Sequence, residues 1–125
     1  MSVSINVQGA LGNPKTVTLG ATEGDVYAPA AGGAYEIIIN IAVCNTDSTA
    51  RVVNLYWSDG STSYEFWRDS VAAGDTVEAL GLPIRLQPNG GSGVAVKLRG
   101  KAAVGSVVNV TVTYTTISSL GSRGG

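Results

Sequence analysis

Two stretches, residues 35–44 and 51–58, limit what this chain can fold into. Both are rich in β-branched and aromatic residues, and both alternate. Side chains on a strand point to opposite faces with a period of two. Ile37, Ile39, Ile41 and Val43 therefore share one face, and Ile38, Asn40, Ala42 and Cys44 the other. In the second stretch Val53, Leu55 and Trp57 oppose Val52, Asn54 and Tyr56. With Asn45-Thr46-Asp47-Ser48-Thr49-Ala50 between them, the two stretches predict a hairpin of a β-sandwich. Ile37, Ile39, Ile41, Val43, Val53, Leu55 and Trp57 are its expected core. Ile38, Ala42 and Tyr56 make the opposite face apolar enough to need cover, from a second sheet or another subunit.

Strand signals continue on both sides. Val3, Ile5 and Val7 alternate with Ser4, Asn6 and Gln8, and residues 16–19 and 25–28 form further short runs. Asp59-Gly60 turns the chain into residues 63–69, where Tyr64, Phe66 and Arg68 oppose Glu65 and Trp67. Residues 76–80 follow a Gly74-Asp75 turn. Residues 82–86 and 94–99 flank Pro88-Asn89-Gly90-Gly91. Val108, Val110, Val112 and Tyr114 line one side of the last run. About eight to ten short strands at regular spacing predict an all-β fold, an antiparallel β-sandwich or jelly roll. The expected division is an N-terminal arm with short strands (1–20), a β-sandwich domain (21–117) and a C-terminal tail (118–125).

Composition removes whole classes of function. The 125 residues suit one domain, and a net charge of −1 gives no electrostatic case for nucleic acid. No apolar run is long enough for a membrane helix, so no membrane partner is expected. The first residues lack a basic segment and an apolar core, which predicts no signal peptide and synthesis in a cytosol. The single cysteine, Cys44, excludes an internal disulfide. With no histidine, Ser-His-Asp and Cys-His catalysis and most zinc sites are ruled out. No catalytic residue, metal or cofactor is expected.

Each remaining candidate has a structural alternative. Glu65 and Asp69 share a predicted strand, but four residues span about 13 Å. Paired glycosidase carboxylates sit roughly 5–9 Å apart, so a solvated strand face is the better reading. Asn45, Asp47 and Asp59 carry oxygen ligands that calcium accepts, yet no calcium-loop pattern surrounds them. Turns in which Asn and Asp bond their own backbone explain them better. Tyr56, Trp57, Tyr64, Phe66 and Trp67 fall within twelve positions. An exposed Tyr56 and Trp67 would anchor a protein interface or stack on a sugar. Lys97, Arg99 and Lys101 form a predicted basic ridge, suited to an acidic partner or to water. With Arg123 these residues make the candidate interface: Tyr56, Trp67, Lys97, Arg99, Lys101 and Arg123. Gly90-Gly91-Ser92-Gly93 lacks the ending of a phosphate loop. Cys44 reads as a small buried hydrophobe.

The order of framework motifs carries a resemblance. Val26-Tyr27-Ala28-Pro29 with Gly32-Gly33, then residues 37–45 and 52–58, resembles a small β-sandwich of tailed-bacteriophage virion proteins. So do Ala73-Gly74-Asp75-Thr76-Val77, Leu82-Pro83-Ile84-Arg85-Leu86 and Val108-Asn109-Val110-Thr111-Val112. The similarity covers about residues 25–117. It implies a non-enzymatic capsid decoration or cement protein, or a head–tail accessory protein. It also implies a homo-oligomer, with a trimer favoured, bound to the major capsid protein or other virion proteins. The location would be the virion, after synthesis in the host cytoplasm. The arms 1–20 and 118–125 would then make intersubunit contacts. The competing readings are a neck, tail or fibre component, and a carbohydrate-binding module that uses Trp67 and Tyr56.

Overall fold

A computed structural model describes residues 13–29, 35–79, 81, 83–88 and 90–117. These residues form nine strands and no helix: β1 (Lys15–Thr18), β2 (Gly24–Tyr27), β3 (Tyr35–Asn45), β4 (Arg51–Ser58), β5 (Ser63–Val71), β6 (Thr76–Glu78), β7 (Ile84–Leu86), β8 (Lys97–Ala102) and β9 (Val108–Ile117). One sheet has the order β1-β9-β3-β6, with β7 also on β3, and the other β2-β8-β4-β5. All pairs are antiparallel. The pairing is nested: β1 with β9, β2 with β8, β3 with β6 and β7, β4 with β5. This is a jelly roll, the all-β sandwich the alternation predicts.

The expected hairpin of residues 35–58 does not form. β3 belongs to the first sheet and β4 to the second. Asn45 is the reason. It is fully buried at the end of β3, and its backbone N–H bonds Asp75 O rather than turning back along the sheet. Its side-chain Nδ2 donates to Thr49 O and Val71 O, both at 2.9 Å, and its Oδ1 accepts from Asp47 N. Satisfying a buried amide on every side fixes a corner that carries the chain from one sheet to the other. The chain likewise passes from β7 in the first sheet to β8 in the second.

Two bulges overturn parts of the expected alternation. Ile38 pairs with Tyr114 and Asn40 with Thr113, so Ile39 is an extra residue in β3. Ile38 is thereby buried completely, while Ile39 is 42% exposed. Ile37 is only half-buried. The core set of β3 is Ile38, Ile41 and Val43, not Ile37, Ile39, Ile41 and Val43. In β5, Trp67 pairs with Leu55 and Glu65 with Tyr56, so Phe66 is the extra residue. Phe66 and Trp67 both pack against the core as a result.

Between the sheets lie Leu19, Val26, Val53, Leu55, Leu98 and the row Val108, Val110, Val112, with the β3 set. Burying such a side chain contributes about 1.5–3 kcal/mol before conformational entropy is charged against it. Gly100 makes room for this packing. A Cβ there would sit 2.9 Å from Leu55 Cδ2 and 3.3 Å from Leu19 Cδ2. Lys15–Thr18, inside the segment read as an arm, is bonded to β9. Leu19, in the same segment, belongs to the core, whereas the predicted strand at residues 3–7, the rest of residues 1–12 and the tail 118–125 lie outside the described residues.

Candidate interface: two contrasting outer faces

The register decides which side chains share the outer face of the second sheet. Arg99 stands opposite both Asp25 on β2 and Tyr56 on β4, and Lys101 stands opposite Asn54. Glu65 on β5 stands opposite Tyr56. This brings acids beside the predicted basic ridge. Arg99 Nη1 lies 3.1 Å from Glu23 Oε2, and Arg99 Nε lies 2.9 Å from Asp25 Oδ1. The Nε contact is an ion pair without hydrogen-bond geometry. Lys97 Nζ is 3.2 Å from the same Asp25 oxygen, and Ser63 Oγ donates to Glu23. Farther across, Asn54 Nδ2 donates to Glu65 at 2.9 Å, and Arg68 pairs with Glu65 at 3.4 Å. The face therefore neutralises itself. Of the three ridge residues, Lys101 alone has no ion pair among the described residues. Glu23 and Asp25 precede the ridge by more than seventy positions. Only the β2–β8 pairing brings them together.

The outer face of the first sheet is built differently. β9 presents Asn109, Thr111, Thr113 and Thr115, in register with Cys44, Ala42, Asn40 and Ile37 on β3. β1 adds Thr16 and Thr18 opposite Thr111 and Asn109. The Thr16 and Thr111 hydroxyls are 2.9 Å apart, and Thr18 Oγ1 donates to Asn109 Oδ1 at 2.7 Å. None of these residues is charged. Among the described residues, charge lies at the margins of this sheet: exposed Lys15 at the start of β1 on one side, and on the other Glu78 opposite Ala42 and Arg85, 5.1 Å above the Tyr35 ring. Ile39 and Tyr35 are the large apolar side chains this side exposes, at 42% and 43%.

The aromatic candidates separate. Tyr56 faces outward beside Arg99 and Glu65, whereas Trp67 shares the face of Leu55 and packs on the core. They lie on opposite sides of the sheet, so the expected Tyr56–Trp67 sugar platform is not formed. Trp57 packs on the core and stacks on Tyr64 with ring centroids 4.4 Å apart. The β5 bulge also parts Glu65 from Asp69. Glu65 pairs with outward Tyr56 and Asp69 with core residue Val53. Cys44 is half-buried on the neutral face rather than fully buried. Arg123 lies outside the described residues.

The Asx residues act on the backbone, as the turn reading predicts. Asp59 Oδ1 accepts from Ser61 N and Thr62 N, and Oδ2 accepts from Gly93 N. The Gly93, Thr62 and Ser61 amides hold its carboxyl below the usual carboxylate range. Arg51 and then the Ser48 amide do the same for Asp47, whose Oδ2 lies 2.5 Å from Arg51 Nη2. At one end of the core Tyr27 stacks on Tyr114 and donates to Glu36. Burial, then the Glu36 carboxylate, pushes the Tyr27 phenol well above its ordinary value.

No protein-family model matches the sequence, and no curated protein matches it. Solved structures do resemble the fold. One is a pentameric capsid protein isolated from metagenomic phage sequences, with TM-score 0.49 and 12% identity over 93% of this chain and 68% of that one. A second pentameric capsid protein from metagenomic phage sequences, solved by iodide phasing, has TM-score 0.48 and 16% identity over 94% of this chain and 78% of that one. The third comes from Bacillus endospore appendages, which form disulfide-linked pili, with TM-score 0.48 and 18% identity over 94% and 98%. All three are likenesses of backbone arrangement.

Proposed function

We propose that this chain is a non-enzymatic structural protein of a phage virion, a capsid decoration or cement protein that binds the head shell as an oligomer. The observation that carries the structural role is the neutral face of Thr16, Thr18, Thr111, Thr113, Ile37, Asn40 and Ala42. Burying it against another subunit desolvates no ion. Two of its polar pairs already bond each other, so little hydrogen bonding to water is lost. The ion-paired face of the other sheet stays hydrated at little cost. The virion setting comes from the framework motifs between residues 25 and 117, which resemble tailed-phage virion proteins. No reaction is assigned. The action is mechanical: each added contact raises the work needed to separate neighbouring capsomers. The partners are the major capsid protein and further copies of this chain, with a trimer favoured.

Co-sedimentation with undecorated shells of the cognate phage, followed by imaging, tests the reading. The expected result is repeated copies over the head and loss of binding on Thr111→Lys with Thr113→Lys. Density confined to the neck or tail would transfer the chain to the accessory class. No binding to any virion part would end the proposal.

A further inference from the structure

We propose that the neutral face of the first sheet takes a second copy of this chain in a two-fold contact centred on Ile39, Asn40 and Thr113, in which Glu78 of each copy meets Arg85 of the other copy. This rests on the oligomeric reading above and gives that surface its occupant and its symmetry.

The register sets the two charges evenly about a centre. β6 and β7 both pair with β3 on the side away from β9. Arg85 stands opposite Ile37, which stands opposite Thr115. Glu78 stands opposite Ala42, which stands opposite Thr111. Thr113, opposite Asn40, is the midpoint of the two rows. Four residues of β9 separate those rows, about 13 Å along the strand. That is too far for Glu78 and Arg85 to pair within one copy. Both are exposed, and neither has an ion pair among the described residues. A two-fold axis between two facing sheets, running across the strands at the central row, carries each charge to the level of its opposite. Two ion pairs then form at once, because in an isologous contact Arg85 meets Glu78 wherever Glu78 meets Arg85.

The residues near the axis fit the same pairing. The β3 bulge exposes Ile39 beside the central row, so the two copies of Ile39 cover each other there. Asn40, Thr111 and Thr113 surround it with amides and hydroxyls that both donate and accept, and so match their own kind. Facing sheets run within about 30° of each other, and an axis across the strands keeps that alignment. An axis along the strands would instead lay the margin of β6 and β7 over β1. Glu78 would then approach Lys15, but Arg85 would meet no acid, because β1 contains none. Only the axis across the strands satisfies both charges, and it leaves Lys15 in water at the opposite rim. The contact closes on a pair, so a trimer uses a further surface.

Sedimentation of the full chain at graded concentration tests the contact. Glu78→Arg and Arg85→Glu, each alone, are expected to weaken self-association about tenfold, because each change enters the contact twice. Combined in one chain they are expected to restore it to within about threefold, since the two charges have only exchanged places. Ile39→Asp, which sets two carboxylates at the axis, is expected to weaken it about tenfold or more. All these sites are exposed, and unchanged far-ultraviolet spectra and urea midpoints establish that the variants fold. A parent chain that stays monomeric, single reversals without effect, or a double reversal no better than the singles overturns the proposal. The last of these results gives the face to a partner of another sequence. Shell binding is scored separately. If shells bind while the reversals leave self-association unchanged, the pairing fails and the virion role stands. If the reversals act as expected and no virion part binds, the pairing stands and the virion role falls.

Discussion

The two outer faces of this sandwich resolve the same problem in opposite ways. Both belong to antiparallel sheets covering one core, and both are polar. The second sheet carries Glu23, Asp25, Lys97 and Arg99 beside the Asn54–Glu65–Arg68 chain, with each cation but Lys101 held by an acid. The first carries threonines, asparagines and small aliphatic residues with no charge in its centre. Polarity alone therefore does not mark an exposed surface. Ion pairs at half exposure hold neighbouring strands together and resist burial, because further desolvation is costly. Hydroxyls that bond one another can be buried or hydrated with little difference.

The contrast is open to attack from either side. Thr111→Lys with Thr113→Lys places two cations on the neutral face. Self-association is expected to weaken by a hundredfold or more, about 3 kcal/mol, with the urea midpoint nearly unchanged. Sedimentation at graded concentration reads the first, and denaturation the second. Arg99→Ala is the converse. It leaves Glu23 and Asp25 facing each other without their shared cation, and is expected to cost about 1–2 kcal/mol of folding stability with association intact. If Arg99→Ala abolishes association instead, the roles of the faces are reversed.

A smaller effect appears in acid. Asp47 and Asp59 have carboxyls lowered by folding, so their contribution is present above the ordinary carboxylate value and is lost as pH falls through the lowered one. Stability measured from pH 6 to pH 2.5 is expected to decline, and Asp59→Asn to flatten part of that decline. The smallest change is Thr18→Val, which removes one exposed hydroxyl from Asn109 and is expected to shift stability by no more than about 0.5 kcal/mol.

Much of the fold was legible from alternation. The row Val108, Val110, Val112 is buried completely, as its period predicts, and it lies on β9. The bulges escaped strict period-two reading, although the sequence holds a trace of each. Ile37-Ile38-Ile39 and Phe66-Trp67 are runs of large apolar residues where alternation calls for a polar one. Adding one residue to a strand reverses every face beyond it. The hairpin misreading has another cause. A short polar linker with Asn is compatible with both a turn within a sheet and a corner between sheets. What decides is the burial of Asn45 among Thr49, Val71 and Asp75, none of which is near β3 in sequence except the first. The basic ridge was visible as a pattern, but its neutralisation by Glu23 and Asp25 depends on a pairing between distant strands. The neutral face was half visible: Thr111, Thr113 and Thr115 alternate plainly, while their alignment with Thr16, Ala42 and Asn40 is a fact of topology.

The nested pairing also sets a timetable. Among the described strands only β4 and β5 are neighbours both in sequence and in a sheet. β9 enters between β1 and β3, so the first sheet cannot close until residues 108–117 have left the ribosome. Such long-range pairing makes folding slow relative to a helical domain of this size. It also means that a truncated or nascent chain does not present the threonine face, since β9 supplies its central row. The closure of the first sheet and the completion of its threonine face are thus tied to the same strand.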